Sequence, residues 1–132
     1  DLTKAFGTYT GPQAMKMAGV KHSDFDLAMI YDSFTYTVLV TLENLGFCKP
    51  GEGPDFIKSK ILGPGGNFPL NTNGGGLSYT HPGMYGIFTI VEAARQMRKQ
   101  AKDRQLDICN LALVHGTGGL LSSTGTIILG KD

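Results

Sequence analysis

The chain lacks tryptophan and holds only two cysteines in 132 residues. Two thiols cannot build a disulfide framework, and Cys48 and Cys109 do not stand at metal-ligand spacing from the three histidines. No metal site is expected, and a reducing, cytoplasmic setting is the simpler one. No run reaches the roughly 18 apolar residues of a membrane span. Charge excess is missing too: 12 Lys and Arg against 11 Asp and Glu leave a formal net charge of +1. That balance argues against nucleic acid as a partner, which calls for a basic patch. Arg95, Arg98, Lys99, Lys102 and Arg104 do cluster, but on one helical segment beside acids, as on a solvated face. The phosphate-loop signature ending in Gly-Lys-Ser/Thr is absent. The opening Asp1-Leu2-Thr3-Lys4 shows neither Met nor the basic-then-apolar layout of a signal peptide, so the sequence reads as a piece of a longer chain.

Glycine is what the chain has in plenty. Nineteen residues are about twice the usual share, which predicts several special loops. Hydrophobic residues make up 41%, enough for the core of one domain over 1–132.

Along the chain, 12–20 reads as the end of a helix with an apolar stripe of Ala14, Met15 and Ala18, closed by Gly19. Residues 26–31 form a short buried strand. Asp32 or Ser33 can cap a helix from Phe34 to Leu45 that Gly46 stops. Residues 48–68 carry four prolines and glycines in each half and read as an ordered excursion or lid, because Phe56, Ile57, Ile61 and Leu62 interrupt it. A weak strand at 68–71 precedes the strongest helix, with Thr80 as cap, Pro82 in the first turn, and a stripe of Ile87, Val91, Ala94, Met97 and Ala101. A buried strand at 108–114, a hairpin loop at 115–119 and a returning strand at 121–129 complete the pattern. This order predicts an α/β layered domain whose mixed sheet ends in an antiparallel hairpin, with helices packed on it. Ligands of such sheets gather outside the carboxyl ends of strands.

Three segments can carry chemistry. In Asn71-Thr72-Asn73-Gly74-Gly75-Gly76-Leu77-Ser78-Tyr79-Thr80-His81-Pro82 the glycines permit close backbone approach, and His81 falls at the expected mouth of a helix. There it is either a surface histidine in a turn or a neutral imidazole that exchanges a proton or donates to an oxyanion. His115 opens Gly116-Thr117-Gly118-Gly119. It is either incidental to a hairpin or part of a site in which backbone N–H groups near Thr117 and Gly118 face an anion. Tyr31, at a strand end beside Asp32, is either an acid or hydrogen-bond donor or a packing residue. Cys109 lies in an apolar strand and Cys48 just past a helix end, so neither is activated as a nucleophile.

The segment 71–82 resembles the thiolase motif Asn-x-x-Gly-Gly-x-aliphatic-Ser/Ala-x-Gly-His-Pro, with Thr80 in place of a Gly. Tyr31-Asp32-Ser33-Phe34 stands where thiolases have Asn-Glu-Ala-Phe and the sterol-carrier type His-Asp-Cys-Phe. His115-Gly116-Thr117-Gly118-Gly119 stands in the place of the Cys-x-Gly-Gly loop. Three landmarks in order over nearly the whole chain resemble the carboxyl-terminal half of a thiolase-like protein, nearest the sterol-carrier and lipid-transfer branch.

The resemblance implies acyl-CoA chemistry, with a coenzyme A thioester as substrate and no covalently bound cofactor. His81 would activate a nucleophilic Cys of the amino-terminal half, His115 would exchange a proton at the substrate α-carbon, and Phe34 would line the pantetheine channel. Thr117, Gly118 and Gly75 would contribute to the oxyanion or substrate site. The expected activity is acyl transfer or thiolysis by the full-length protein, this chain alone being inactive. The partners would be the amino-terminal half and a second copy in a homodimer. Tyr31 in place of Asn or His opens an alternative, a retro-aldolase releasing a ketone and an acyl-CoA, since some thiolase-like aldolases of steroid breakdown rely on Tyr. A non-catalytic acyl-CoA or lipid-binding module is a further alternative.

Overall fold

The computed structural model describes residues 4–119 and 121–131. The reading of the opening residues Asp1-Leu2-Thr3 lies outside that range. Three strands form one mixed sheet in the order β1 (Leu27–Ile30), β2 (Leu111–Gly118), β3 (Ser123–Gly130). β1 and β2 are parallel, with Ile30 opposite His115, and β2 and β3 are antiparallel, with His115 opposite Thr126. The mixed sheet with a terminal hairpin is the expected α/β architecture.

Alternation of side chains along the strands divides the core in two. Leu27, Met29, Ala112 and Val114 face one way and meet Ala93 and Met97 of α5 (Gly86–Met97). Ile30 and Leu113 face the other way and meet Leu42 and Leu45 of α2 (Thr35–Leu45). α1 (Gly7–Ala18) lies beside α2 and crosses β3. Its start has no side-chain cap of its own. Asn44 of α2 serves instead, accepting from the Ala5 N–H at 3.1 Å and the Thr8 hydroxyl at 2.5 Å. That long-range partner sets the start of α1 at Gly7, ahead of the helix end read at 12–20.

The excursion is a packed element. It contains α3 (Gly53–Lys58), and Phe56, Ile57 and Phe68 pack on the α2 side of the core. Phe47, Phe56 and Phe68 pair edge-on or tilted with centroids 5.2–6.5 Å apart. The weak strand at 68–71 reduces to a single parallel bridge between Leu70 and Ala28.

Two expectations are corrected. The helix expected from Thr80 is split: α4 (Gly75–Tyr79) ends at Thr80, and α5 starts at Gly86. Gly83, at φ +77, and Pro82 lie in the connection, where Pro82 acts as a helix boundary instead of a first-turn residue. The hairpin loop also moves. β2 runs on through Gly118, which pairs with Ser123 at the start of β3, and Gly119 and Leu121 follow at φ +53 and +69. His115 is therefore a mid-strand residue. Among the described residues no helix is long and apolar enough to cross a membrane.

Candidate functional site

The site is built at the carboxyl end of β1. Its outer edge is held by Asn71, whose side chain imitates a neighbouring strand: Oδ1 accepts the Ile30 N–H at 2.8 Å and Nδ2 donates to the Ile30 carbonyl at 2.9 Å. On the inner edge the Tyr31 N–H donates to the His115 carbonyl at 2.9 Å. With the backbone fixed from both sides, Tyr31 projects toward the α5 layer, 7% exposed. Its hydroxyl lies 3.0 Å from His81 Nε2, and the two rings meet edge to face. Tyr85 is fully buried and packs edge to face on Tyr31 with centroids 5.4 Å apart. Burial pushes the Tyr85 hydroxyl well above the usual phenol range. Asn73 reaches both Tyr79 and Tyr85 through its amide, at 2.9 and 3.3 Å.

His81 itself is exposed. It follows the end of α4 and precedes α5 by five residues, so the helix-dipole argument made from sequence does not apply to it. What locates the ring is Tyr31.

Beside this pair runs an open groove of about 400 Å³ lined by Tyr31, Met84 and Ile87 on one side and by Gly116, Thr117 and Gly118 of β2 on the other. Thr117 and Gly118 thus border the same groove as Tyr31. His115 does not join them. It shares a sheet face with Leu113, so its ring enters the α1–α2 layer, 1% exposed. Its Nδ1 lies 2.8 Å from the Thr126 hydroxyl, and Thr126 in turn is 2.8 Å from the Thr10 hydroxyl. Gly7 of α1 rides over the ring so closely that a Cβ there would stand 3.2 Å from Cε1. Burial lowers the His115 pKa to about 4, so the imidazole is neutral.

The remaining candidates divide likewise. Phe34 occupies the N-cap of α2 with extended backbone, 67% exposed and outside the groove lining. Gly75 is buried against Asp32 and does not line the groove. Asp32, expected as a cap for α2, turns instead to α4 and accepts the Gly76 and Leu77 N–H groups. Ser33 bonds the Thr37 hydroxyl at 3.0 Å. Burial raises both thiols, Cys48 with help from Glu43 and Glu52, and Cys109 to about 11. Neither carries a thiolate at neutral pH.

Sequence reading did not anticipate Tyr85, Asn73 or the role of Asp32. The aromatic spacing of Tyr79, Tyr85 and Phe88 offers a signal, outside the expected helix stripe.

An α/β half-domain with an Asn-x-x-Gly-Gly turn whose histidine meets a residue at a strand end is thiolase-type. The family model described as thiolase C-terminal domain-like matches residues 1–131, and the chain belongs to that family. A steroid side-chain-cleaving aldolase of Thermomonospora curvata is 42% identical over 122 residues, covering 92% of this chain. A 17-hydroxy-3-oxo-4-pregnene-20-carboxyl-CoA lyase of Mycobacterium tuberculosis is 38% identical over 120 residues, covering 91% of this chain. The chain spans about 30% of the length of either relative. A solved structure titled Ltp2-ChsH2(DUF35) aldolase aligns with a TM-score of 0.79 at 36% identity, over 98% of this chain and 33% of that one.

Proposed function

We propose that this chain is the carboxyl-terminal domain of a thiolase-type aldolase that cleaves a carbon–carbon bond in a β-hydroxyacyl-CoA. The products are a ketone and a shortened acyl-CoA. The single observation that carries the reading is the Tyr31–His81 contact at the mouth of the groove. The names of the relatives support the same chemistry and suggest a bulky, steroid-like ketone.

In this reading His81 is the Nδ1–H tautomer and Nε2 accepts from the Tyr31 hydroxyl. A free phenol is a poor base at neutral pH. Relayed to an imidazole, it need never become a free phenolate. The substrate β-hydroxyl gives its proton to Tyr31 as Tyr31 gives its own to His81. The Cα–Cβ bond breaks, the hydroxyl carbon becomes the ketone, and the electron pair passes into the thioester enolate. The imidazolium then returns the proton through Tyr31 to the α-carbon. No proton is consumed overall. Thr117 and Gly118 would border the bound thioester.

His115, locked beneath α1, is left out of the proton path. The acyl-transfer activity expected from sequence needs a nucleophilic thiolate from outside this chain, and the retro-aldol reading does not. Leu77, Tyr79, Met84, Ile87, Phe88 and Val91 leave an apolar face open on α4, α5 and their connection. We assign that face to the remainder of a longer protein, with dimerisation as a further expectation.

The test is a cleavage assay on the full-length protein with a tertiary β-hydroxyacyl-CoA, run beside thiolysis of a 3-oxoacyl-CoA. Ketone release that needs no free CoA and is lost in Tyr31→Phe is the expected result. Thiolysis that survives Tyr31→Phe, with no ketone release, would return the acyl-transfer reading.

A further inference from the structure

We propose that Asp32 is the positioning residue that sets the geometry of the Tyr31–His81 pair, a role that rests on the reading of that pair as the proton-handling site. Asp32 is 5% exposed and carries a carboxylate. Burying such a group is costly unless donors satisfy it. Its donors are two backbone N–H groups, Gly76 at 2.8 Å on Oδ1 and Leu77 at 3.1 Å on Oδ2. These are the second and third residues of α4, whose own N-cap, Gly74, has no side chain to offer. Asn73 Oδ1 takes the Gly75 N–H at 3.0 Å, and Asp32 completes the cap from across the sheet end by taking the next two.

The glycine at 75 follows from this contact. It sits at φ +72, and a Cβ there would stand 2.0 Å from Asp32 Oδ2. The bare Cα is what admits the carboxylate.

Tyr31 and Asp32 are consecutive, and each grips one end of the same short segment. Asp32 holds the start of α4, and Tyr31 holds His81 just beyond its end. Among the described residues the His81 ring has no other hydrogen-bond partner. Its position is thus set by Tyr31 directly and by Asp32 through five residues of helix. The root of both side chains is the rigid end of β1, fixed by Asn71 and β2. When Asp32 releases α4, the Gly76 and Leu77 N–H groups lose their acceptor, and Asn73, which takes the Gly75 N–H at 3.0 Å, is left as the one side-chain acceptor at the start of the helix among the described residues.

The experiment uses the full-length protein and reads His81 directly, by imidazole nitrogen chemical shifts, before any turnover is measured. Wild type should show one tautomer, and Tyr31→Phe an averaged one. Asp32→Asn keeps the side-chain shape but removes the charge and turns one acceptor into a donor. It should move the His81 shifts to the Tyr31→Phe values while the circular dichroism spectrum stays unchanged. Wild-type shifts in Asp32→Asn overturn the proposal. Should that variant not fold, Gly75→Ala, which pushes the carboxylate off its donors without removing it, is read in its place by the same criterion. Turnover then gives the second readout: kcat falls about tenfold or more in Asp32→Asn with KM within about twofold, and adding Tyr31→Phe costs less than it does alone. Fully additive losses overturn the positioning role. Absence of aldol cleavage in wild type would defeat the aldolase reading alone, since the nitrogen shifts still decide the place of Asp32.

Discussion

The two faces of the sheet are made by the same three strands and finished in different ways. On the α1–α2 face His115, Thr126 and Thr10 bond one another under a glycine of α1, and Leu113 meets Leu42 and Leu45. Helices cover it and the aromatic excursion pads it further. On the α5 face the layer stops short of the strand ends. There Tyr31 and His81 meet beside an open groove, and α4 and α5 turn large apolar side chains outward. One imidazole is neutralised by burial, and the other is held at the surface by a single phenol. Both faces bury apolar core, and the α5 face also leaves polar groups beside open space.

Breaking the pair on the open face should have the largest effect. Tyr31→Phe and His81→Ala, each in the full-length protein, should lower kcat/KM for ketone release by about 10²–10⁴-fold, the usual share of acid–base catalysis. The unfolding midpoint should barely move, as a denaturant titration alongside the kinetics will show. On the closed face the pattern inverts. Leu113→Ala should cost about 2–5 kcal/mol of stability through lost contacts and a cavity. Its kcat per folded molecule should stay near wild type.

The pH response sharpens the same contrast. His115 titrates near 6.5 when free and near 4 when buried. Above pH 6.5 neither state binds the proton, so the folded protein keeps its full stability. As the pH falls from 6.5 toward 4 the unfolded chain is protonated first, and about 3 kcal/mol is lost. Urea midpoints measured across that window should slope downward toward acid, and His115→Gln should remove this part of the slope. The smallest effect is expected on the outward side chains of α5. Phe88→Ser, which gives up the stack of Phe88 on Tyr85, should change the stability of this chain by about 1 kcal/mol. It should reduce self-association in sedimentation, since it interrupts the open apolar face.

The strands were legible because their apolar runs are continuous, and the hairpin because two such runs flank glycines. Chain order and the three motifs pointed to the thiolase-type layout. Missed boundaries share a cause: partners distant in sequence. α1 begins at Gly7 because Asn44 caps it. α4 exists as a separate turn because Asp32 caps it. His115 looked like a loop residue because glycines follow it, yet Gly116 and Gly118 sit within a ladder that β3 completes. Of the candidate residues, Tyr31, Thr117 and Gly118 border one groove with His81 bonded to Tyr31, while His115, Phe34 and Gly75 lie elsewhere. Motif order cannot tell which face of a strand a residue occupies; that depends on where the turn falls, and here the turn came four residues later than expected.

The Asn71 side chain has a consequence for how the sheet can grow. β1 is an edge strand, the kind of margin on which foreign strands template aggregates. Here Ala28 bonds to Pro69 and to the Asn71 N–H, and both polar groups of the Ile30 peptide edge are taken by one amide side chain. An incoming strand would have to peel away 69–71 before it found a free backbone group on that margin. The residue that steadies the root of the site thus also closes the β1 margin of the sheet to strand-by-strand polymerisation.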